Sequence, residues 1–312
     1  MVIIAFAIVY IVWGSTYLFI RLAIEDIPAM LMASVRFLSA GILLMIWCAI
    51  RGEKLFVWKN IKPALVSGLL MLFIGNGAVV WSEQYVSSSL AAILVSAGPI
   101  WFVLLDKINW KKNFSSKETI AGLVIGFLGV LLLFGENLVH ALSTTGNEWQ
   151  LVASGLLILG SISWAGGSLY SKYKSTGSSN SVNTSWQMLV AGIVFLPISI
   201  LSGEMNGFHW QNVSSTSWMA LFYLVTMGSL AGYSAYVWLL QVRSATQVST
   251  HSYVNPVVAV LLGVFFANES MSPLQITGLA IILVSVLLIN LSKYRKEHKT
   301  VTYKQEPKAK VA

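Results

Sequence analysis

Residues 81–99 read WSEQYVSSSLAAILVSAGP, and residues 238–256 read WLLQVRSATQVSTHSYVNP. In each stretch a tryptophan precedes a proline by 18 residues and a glutamine follows the tryptophan by three. Trp81, Gln84 and Pro99 therefore map onto Trp238, Gln241 and Pro256 at an offset of 157. Working outward, Trp13 matches Trp164 and Ala40-Gly41 matches Ala191-Gly192 at an offset of 151, and Gly122 matches Gly278 at 156. A few inserted residues reconcile these offsets, so the chain reads as two copies of one unit.

The composition says what solvent those copies need. Of 312 residues, 56% are hydrophobic and 10% charged, with a mean hydropathy of +0.73, against about 25% charged in a soluble domain. Runs long enough to cross about 30 Å of hydrocarbon fall at approximately 2–21, 31–50, 63–82, 88–105, 119–135, 151–170, 183–202, 218–240, 247–267 and 275–291. The expected fold is an all-α polytopic membrane protein of ten transmembrane helices. Five is odd, so the second copy enters the membrane from the opposite side: residues 1–136 and 151–292 form two inverted-topology five-helix repeats, followed by a basic cytoplasmic tail, 293–312. Repeats of this kind place a solute site at their interface near the bilayer midplane and permit alternating access.

Eighteen of the 20 basic residues lie in alternate loops or the tail, which puts both termini in the cytoplasm. The net charge of +8 is thus a matter of topology and implies no nucleic-acid partner; the tail is expected to lie near anionic lipid. The apolar amino terminus lacks the features of a cleaved signal and reads as a retained first span. Cys48 alone cannot form an intramolecular disulfide or a cysteine zinc site. A phosphate-binding glycine loop ending in Lys-Ser or Lys-Thr is missing, as is a His-Glu-x-x-His helix, and the four histidines are scattered. No cofactor, no metal and no catalytic activity are expected.

Pro99 and Pro256 occupy equivalent places near the middle of the fourth and ninth runs. Proline within a helix displaces the carbonyl four residues earlier, which in lipid must be satisfied by protein or a wet cavity. The carbonyls of Val95 and Ser252 are the ones freed, and bent helices lining a cavity are expected there.

WGSTYLFIRLAI from Trp13, RFLSAGILL from Arg36, WSEQYVSSSLAAIL from Trp81 and SYVNPVVAVLLG from Ser252, followed by Glu269 and Gly278, together resemble the EamA family of the drug/metabolite transporter superfamily over residues 1–292. The resemblance implies a ten-helix bundle with a central solute path walled mainly by the first, third, fourth, sixth, eighth and ninth spans. It further implies a cell-membrane exporter of small organic metabolites, amino acids or drug-like compounds. The chain departs from the family at Asn113, where the first repeat often carries an acid, and at Ala165-Gly166-Gly167 after Trp164.

Candidate solute contacts near the midplane are Trp13, Ser15, Thr16, Tyr17, Asn76 and Trp101 in the first half, and Trp164, Ser168, Tyr233, Tyr236 and Asn255 in the second. Aromatic faces with a few hydroxyl and amide groups suit a mostly apolar organic solute with one or two polar handles, a cation included. Arg36, Glu83, Pro99 and Pro256 are the candidates for gating or coupling. Arg36 lies within a span, where a cation faces the bundle interior or finds a partner; it could contact solute, snorkel outward or pair with Glu83. Glu83 is the acidic candidate for coupling to protons. His251, placed near the cytoplasmic end of the ninth run, reads as a packed histidine. Trp47, Trp58, Trp110, Trp149, Trp210 and Trp218 near run ends read as interfacial anchors. A non-transporting solute receptor or assembly factor would carry the same residues.

Overall fold

The structure, a computed structural model, describes residues 1–86, 88–135, 148–175, 177–267 and 272–305. Those residues are helical with short connections and contain no strand. In chain order the helices are α1 (Val2–Ile24), α2 (Ala29–Ile50), α3 (Trp58–Ser82), α4 (Ser88–Val95), α5 (Gly98–Leu105), α6 (Trp110–Phe114) and α7 (Lys117–Leu133). The second half holds α8 (Glu148–Lys174), α9 (Asn180–Leu201), α10 (Ser215–Val242), α11 (Ala245–Val248), α12 (His251–Ala267) and α13 (Pro273–Gln305). Residues 293–305, expected as tail, continue α13. Glu269 and most of the connector between the halves lie outside the described residues.

Among the described residues, seven helices are long and apolar enough to cross a membrane, or eight if the pair Leu90–Leu105 and Lys107–Phe114, bent by 64°, is one span. The shortfall from ten apolar runs has local causes. The fourth run is interrupted at 96–97 and again after Asp106, while α7 and α12 have 17 residues each.

Serines set several helix starts. The Oγ atoms of Ser116, Ser179, Ser214 and Ser244 accept from backbone N–H groups three residues on, opening α7, α9, α10 and α11. The start of α2 is capped from a distance: the Glu204 carboxylate accepts from the Met30 and Leu31 N–H groups at 3.0 and 3.3 Å, a favourable place for an anion.

Two long helices change winding midway. Leu69–Asn76 within α3 and Leu224–Tyr233 within α10 are π-helical, which misaligns carbonyls with their usual partners. Side chains from neighbours take two of them: Ser163 Oγ donates to Leu70 O at 2.7 Å, and Trp13 Nε1 donates to Gly228 O at 3.1 Å.

Helices pack through glycines, as expected where close approach replaces hydrophobic driving force. α2 lies on α9, with Gly41 against Leu189 and Gly192 against Leu38; α7 lies on α13, with Gly122 against Ile289 and Gly278 against Leu133. α1 packs on α12 and α10, while α8 packs on α5 and α3. Large apolar side chains such as Ile11, Ile46, Val124, Leu159, Phe222 and Leu287 cover the outside. The six tryptophans read as anchors are each at least 38% exposed.

Candidate functional site

The interrupted and rewound helices meet around a cavity of about 90 Å³, room for several waters. α1 contributes Trp13, Thr16, Tyr17 and Ile20; α2, Arg36 and Phe37; α3, Leu72, Gly75, Asn76 and Val79. Val95 ends α4 and Gly98 begins α5; α8 adds Gly160, Ser161 and Trp164; α10, Gly228 and Tyr233; α12, His251, Ser252 and Asn255.

Four aromatic rings close one end. Trp13 meets Trp164 edge-on at 5.5 Å, Tyr236 at 4.9 Å and His251 at 5.1 Å, and Tyr236 meets His251 at 5.2 Å. Hydrogen bonds fix the set. Trp164 Nε1 donates to the Tyr236 hydroxyl at 2.9 Å, and that hydroxyl also bonds Ser168 Oγ at 2.7 Å. Ile20 and Val79, more than one helical turn from this floor along α1 and α3, line the opposite end.

Of the sequence-derived candidates, Trp13, Thr16, Tyr17, Arg36, Asn76, Trp164, Tyr233 and Asn255 come together on the wall. Tyr236 belongs to the floor without lining the cavity, and Ser168 bonds its hydroxyl from behind. Ser15 turns to α10, bonding the Tyr223 hydroxyl at 2.7 Å. Trp101 packs into the apolar core with its Nε1 buried and without an acceptor.

The two prolines differ from expectation. Pro99 bends no continuous helix: it sits in the first turn of α5, where its missing N–H costs nothing. Pro256 lies inside α12, and the Ser252 carbonyl it frees accepts Ser96 Oγ at 2.9 Å from the interruption in the other half. Thus one broken helix satisfies the carbonyl exposed by the other.

Of the alternatives for Arg36, pairing with Glu83 is not made. Arg36 Nε donates to Ser229 Oγ at 2.9 Å, and Nη1 has no acceptor. Both Glu83 carboxylate oxygens are buried without a donor, and the electrostatic neighbours of that group are Arg21 and Tyr17. Arg36 is instead held across the bundle by the π segment of α10, a partner with no charge to signal it in the sequence.

His251, Ser252, Ser161 and Gly228 line the cavity without having been singled out as contacts. For His251 the cause is a break: α11 ends at Val248 and α12 restarts at His251, so the histidine at the start of that helix reaches the cavity.

Away from the cavity, two acids tie the connections at one end of the bundle. Glu204 caps α2, and the Asp26 carboxylate accepts from Ser214 N at 3.0 Å and from the Ser214 and Ser217 hydroxyls. These bonds, led by that of the Ser214 hydroxyl, hold the Asp26 carboxyl below the usual carboxylate range. Among the described residues no group of three or more histidine, cysteine, aspartate or glutamate side chains could hold a metal ion.

An all-helical bundle with long apolar helices and a central, mostly uncharged cavity defines a polytopic membrane protein built to admit a small molecule. Its family follows from comparison: the model of the EamA-like transporter family matches residues 1–135 and 151–291, and the chain belongs to that family. It is therefore a membrane transporter and not an enzyme. The chain is 37% identical over 287 residues to a protein of Escherichia coli (strain K12) named "Uncharacterized inner membrane transporter YedA", covering 91% of this chain and 89% of that one. It is 28% identical to "Uncharacterized transporter YvbV" of Bacillus subtilis (strain 168), covering 91% and 90%. A solved structure titled "Crystal structure of protein" shares the fold with a TM-score of 0.75 at 17% identity, covering 94% of this chain and 98% of that one.

Proposed function

We propose that the chain exports a small organic solute across the inner membrane by alternating access, through ten spans arranged as two inverted five-helix repeats, residues 1–136 and 151–292, with both termini cytoplasmic. One observation carries this reading, the reciprocity of close contacts. Gly41 meets Leu189 while Gly192 meets Leu38, Gly122 meets Ile289 while Gly278 meets Leu133, and Gly75 meets Trp164 while Gly232 meets Trp13. Exchanging each residue for its repeat partner reproduces the contact, as a two-fold axis between the halves requires. The two separate family matches support the same division. The basic loops put Ile20 on the outer side and the Trp13–Trp164–Tyr236–His251 floor on the inner side, and we read the cavity as the outward-facing state. Exchange of conformation between the halves would open the floor and close the outer end.

Alternating access is tested with single cysteines in a Cys48→Ser background, one at Ile20 and one at Ser168, labelled in vesicles with and without a solute that shows counterflow. The expected result is opposite changes in labelling rate; parallel changes overturn the reading. Coupling to protons through Glu83 is part of the same proposal. A pH gradient should accelerate transport by the wild type and leave Glu83→Gln indifferent, whereas equal responses in both proteins remove Glu83 from that role.

A further inference from the structure

Arg36 is the sole cation on a cavity wall otherwise built from rings, aliphatic groups, hydroxyls and amides. It is 4% exposed, its guanidinium lies 4.9 Å from the Phe37 ring, and its Nε is fixed by Ser229 Oγ. A methyl group on Gly228 would lie 3.1 Å from Nη2, so the guanidinium rests closely against α10. Nη1 nevertheless lacks an acceptor, and no carboxylate comes within ion-pair distance among the described residues. A buried charge left uncompensated is costly, and the cost is relieved when a partner of opposite sign arrives.

Two further wall atoms want the opposite kind of partner. Asn76 Oδ1 and Asn255 Oδ1 are buried and without donors. Beneath them the Trp13 and Trp164 rings offer an apolar floor. We propose that the cavity takes a small organic monocarboxylate that also carries an N–H or O–H donor and an apolar group, with Arg36 as the residue that selects its charge. This rests on reading the cavity as the solute site. One guanidinium matches one carboxylate through paired hydrogen bonds; a phosphate dianion would need more positive charge than the wall supplies. Cations, which the ring faces alone would welcome, are disfavoured by the fixed guanidinium. Glu83 does not line the cavity.

The test uses three probes of nearly equal size on the full chain in detergent: L-3-phenyllactate, its neutral amide, and the cation L-phenylalaninol. Binding is read by tryptophan fluorescence, since Trp13 and Trp164 line the cavity. Phenyllactate should bind at least tenfold more tightly than the amide, and phenylalaninol weakest. Arg36→Gln should bring phenyllactate to within about twofold of the amide, with an unchanged thermal unfolding midpoint in detergent as evidence of an intact fold; Arg36→Lys should restore part of the preference, as a point charge without the bidentate fork does. Amide or cation binding as tight as the anion's, saturable binding of none of the three, or a preference that survives Arg36→Gln would each overturn the proposal. Protein that binds the anion selectively yet shows no counterflow in vesicles would sink alternating access and leave this inference standing. Counterflow without charge preference would do the reverse.

Discussion

Arg36 and Gln187 occupy the same place in the two halves, at the offset of 151 that relates Gly41 to Gly192, yet they live in opposite circumstances. Gln187 is fully buried and satisfied: its Nε2 donates to Ser67 Oγ at 2.7 Å and Ser171 Oγ at 3.1 Å, and its Oε1 accepts from the Tyr233 hydroxyl at 2.9 Å. Arg36 has Ser229 and an idle Nη1. The glycine contacts around both positions are mutual, which fits the symmetric scaffold of the proposed repeat. Recognition is placed where the symmetry breaks: one half seals its polar group and the other leaves its polar group open to the cavity.

The scaffold itself can be broken unequally, and here the largest effect is expected. A methyl group on Gly278 would lie 2.5 Å from the Leu133 backbone nitrogen and 2.8 Å from the Gly129 carbonyl oxygen. On the partner glycine, Gly122, it would lie 2.6 Å from a side-chain carbon of Ile289. Backbone cannot step aside and an isoleucine can change rotamer, so Gly278→Ala should cost ~3 kcal/mol and Gly122→Ala ~1 kcal/mol, the ends of the usual range for overpacking. Thermal unfolding in detergent measures both, and equal losses would deny the distinction.

The comparison of Arg36 with Gln187 is sharpened by separating stability from transport. Gln187→Leu leaves the Tyr233 hydroxyl the Met71 sulfur in place of an amide oxygen and removes a donor from both serines, which should cost about 2 kcal/mol for buried groups poorly paired. Arg36→Gln removes an uncompensated charge and should leave stability within about 1 kcal/mol of the wild type while abolishing most counterflow. A strongly destabilised Arg36→Gln would make the arginine a structural anchor.

A smaller effect is expected at the floor. Tyr236→Phe removes the acceptor of Trp164 Nε1 and the partner of Ser168 but keeps every ring contact. Losing about 1 kcal/mol from the closed floor corresponds to roughly fivefold more of the opened form, readable as faster labelling of a cysteine at Ser168. No change would mean that ring packing alone holds the floor shut.

Much of this architecture was legible because prolines, tryptophans and glycines carry spacing that survives divergence between the halves. Trp13 and Trp164 were matched by offset alone, and they meet at 5.5 Å. What stayed hidden has physical reasons. Membership of a run does not fix which face a side chain presents, so Ser15 and Thr16, neighbours about 100° apart on one helix, were both taken as wall residues, and Ser15 faces α10 instead. The π segments have no compositional mark, yet one of them turns Ser229 toward Arg36. Turns at 96–97 and 249–250 are written in small residues that also occur within helices, which is why Pro99 was placed inside a continuous span and His251 was not counted among the cavity contacts.

The smallest effect concerns the two ends of the bundle. Asp26, which grips the start of α10, has Gly177 as its counterpart at the offset of 151, with φ of 104° and the Asn60 side chain beside it. Both connections therefore carry a carboxylate tie, of different reach: Asp26 accepts from the Ser214 backbone N–H as well as from two hydroxyls, whereas Glu53 accepts from the Ser179 hydroxyl. The hydrogen bonds of Ser214 and Ser217 depress the Asp26 value in the folded protein, so their contribution is complete above the unfolded value of about 3.9. It is lost as pH falls through the lower, folded value. Because Asp26 is exposed, water screens the bonds and the effect is small. Amide hydrogen exchange at Ser214, corrected for its intrinsic pH dependence, should be flat from neutral pH to about 5 and rise only below the ordinary carboxylate value. Asp26→Asn should remove that rise at Ser214 and leave exchange at the 177–180 connection, where Glu53 holds Ser179, as it is in the wild type. A rise between pH 5 and 7 would place the tie on another group.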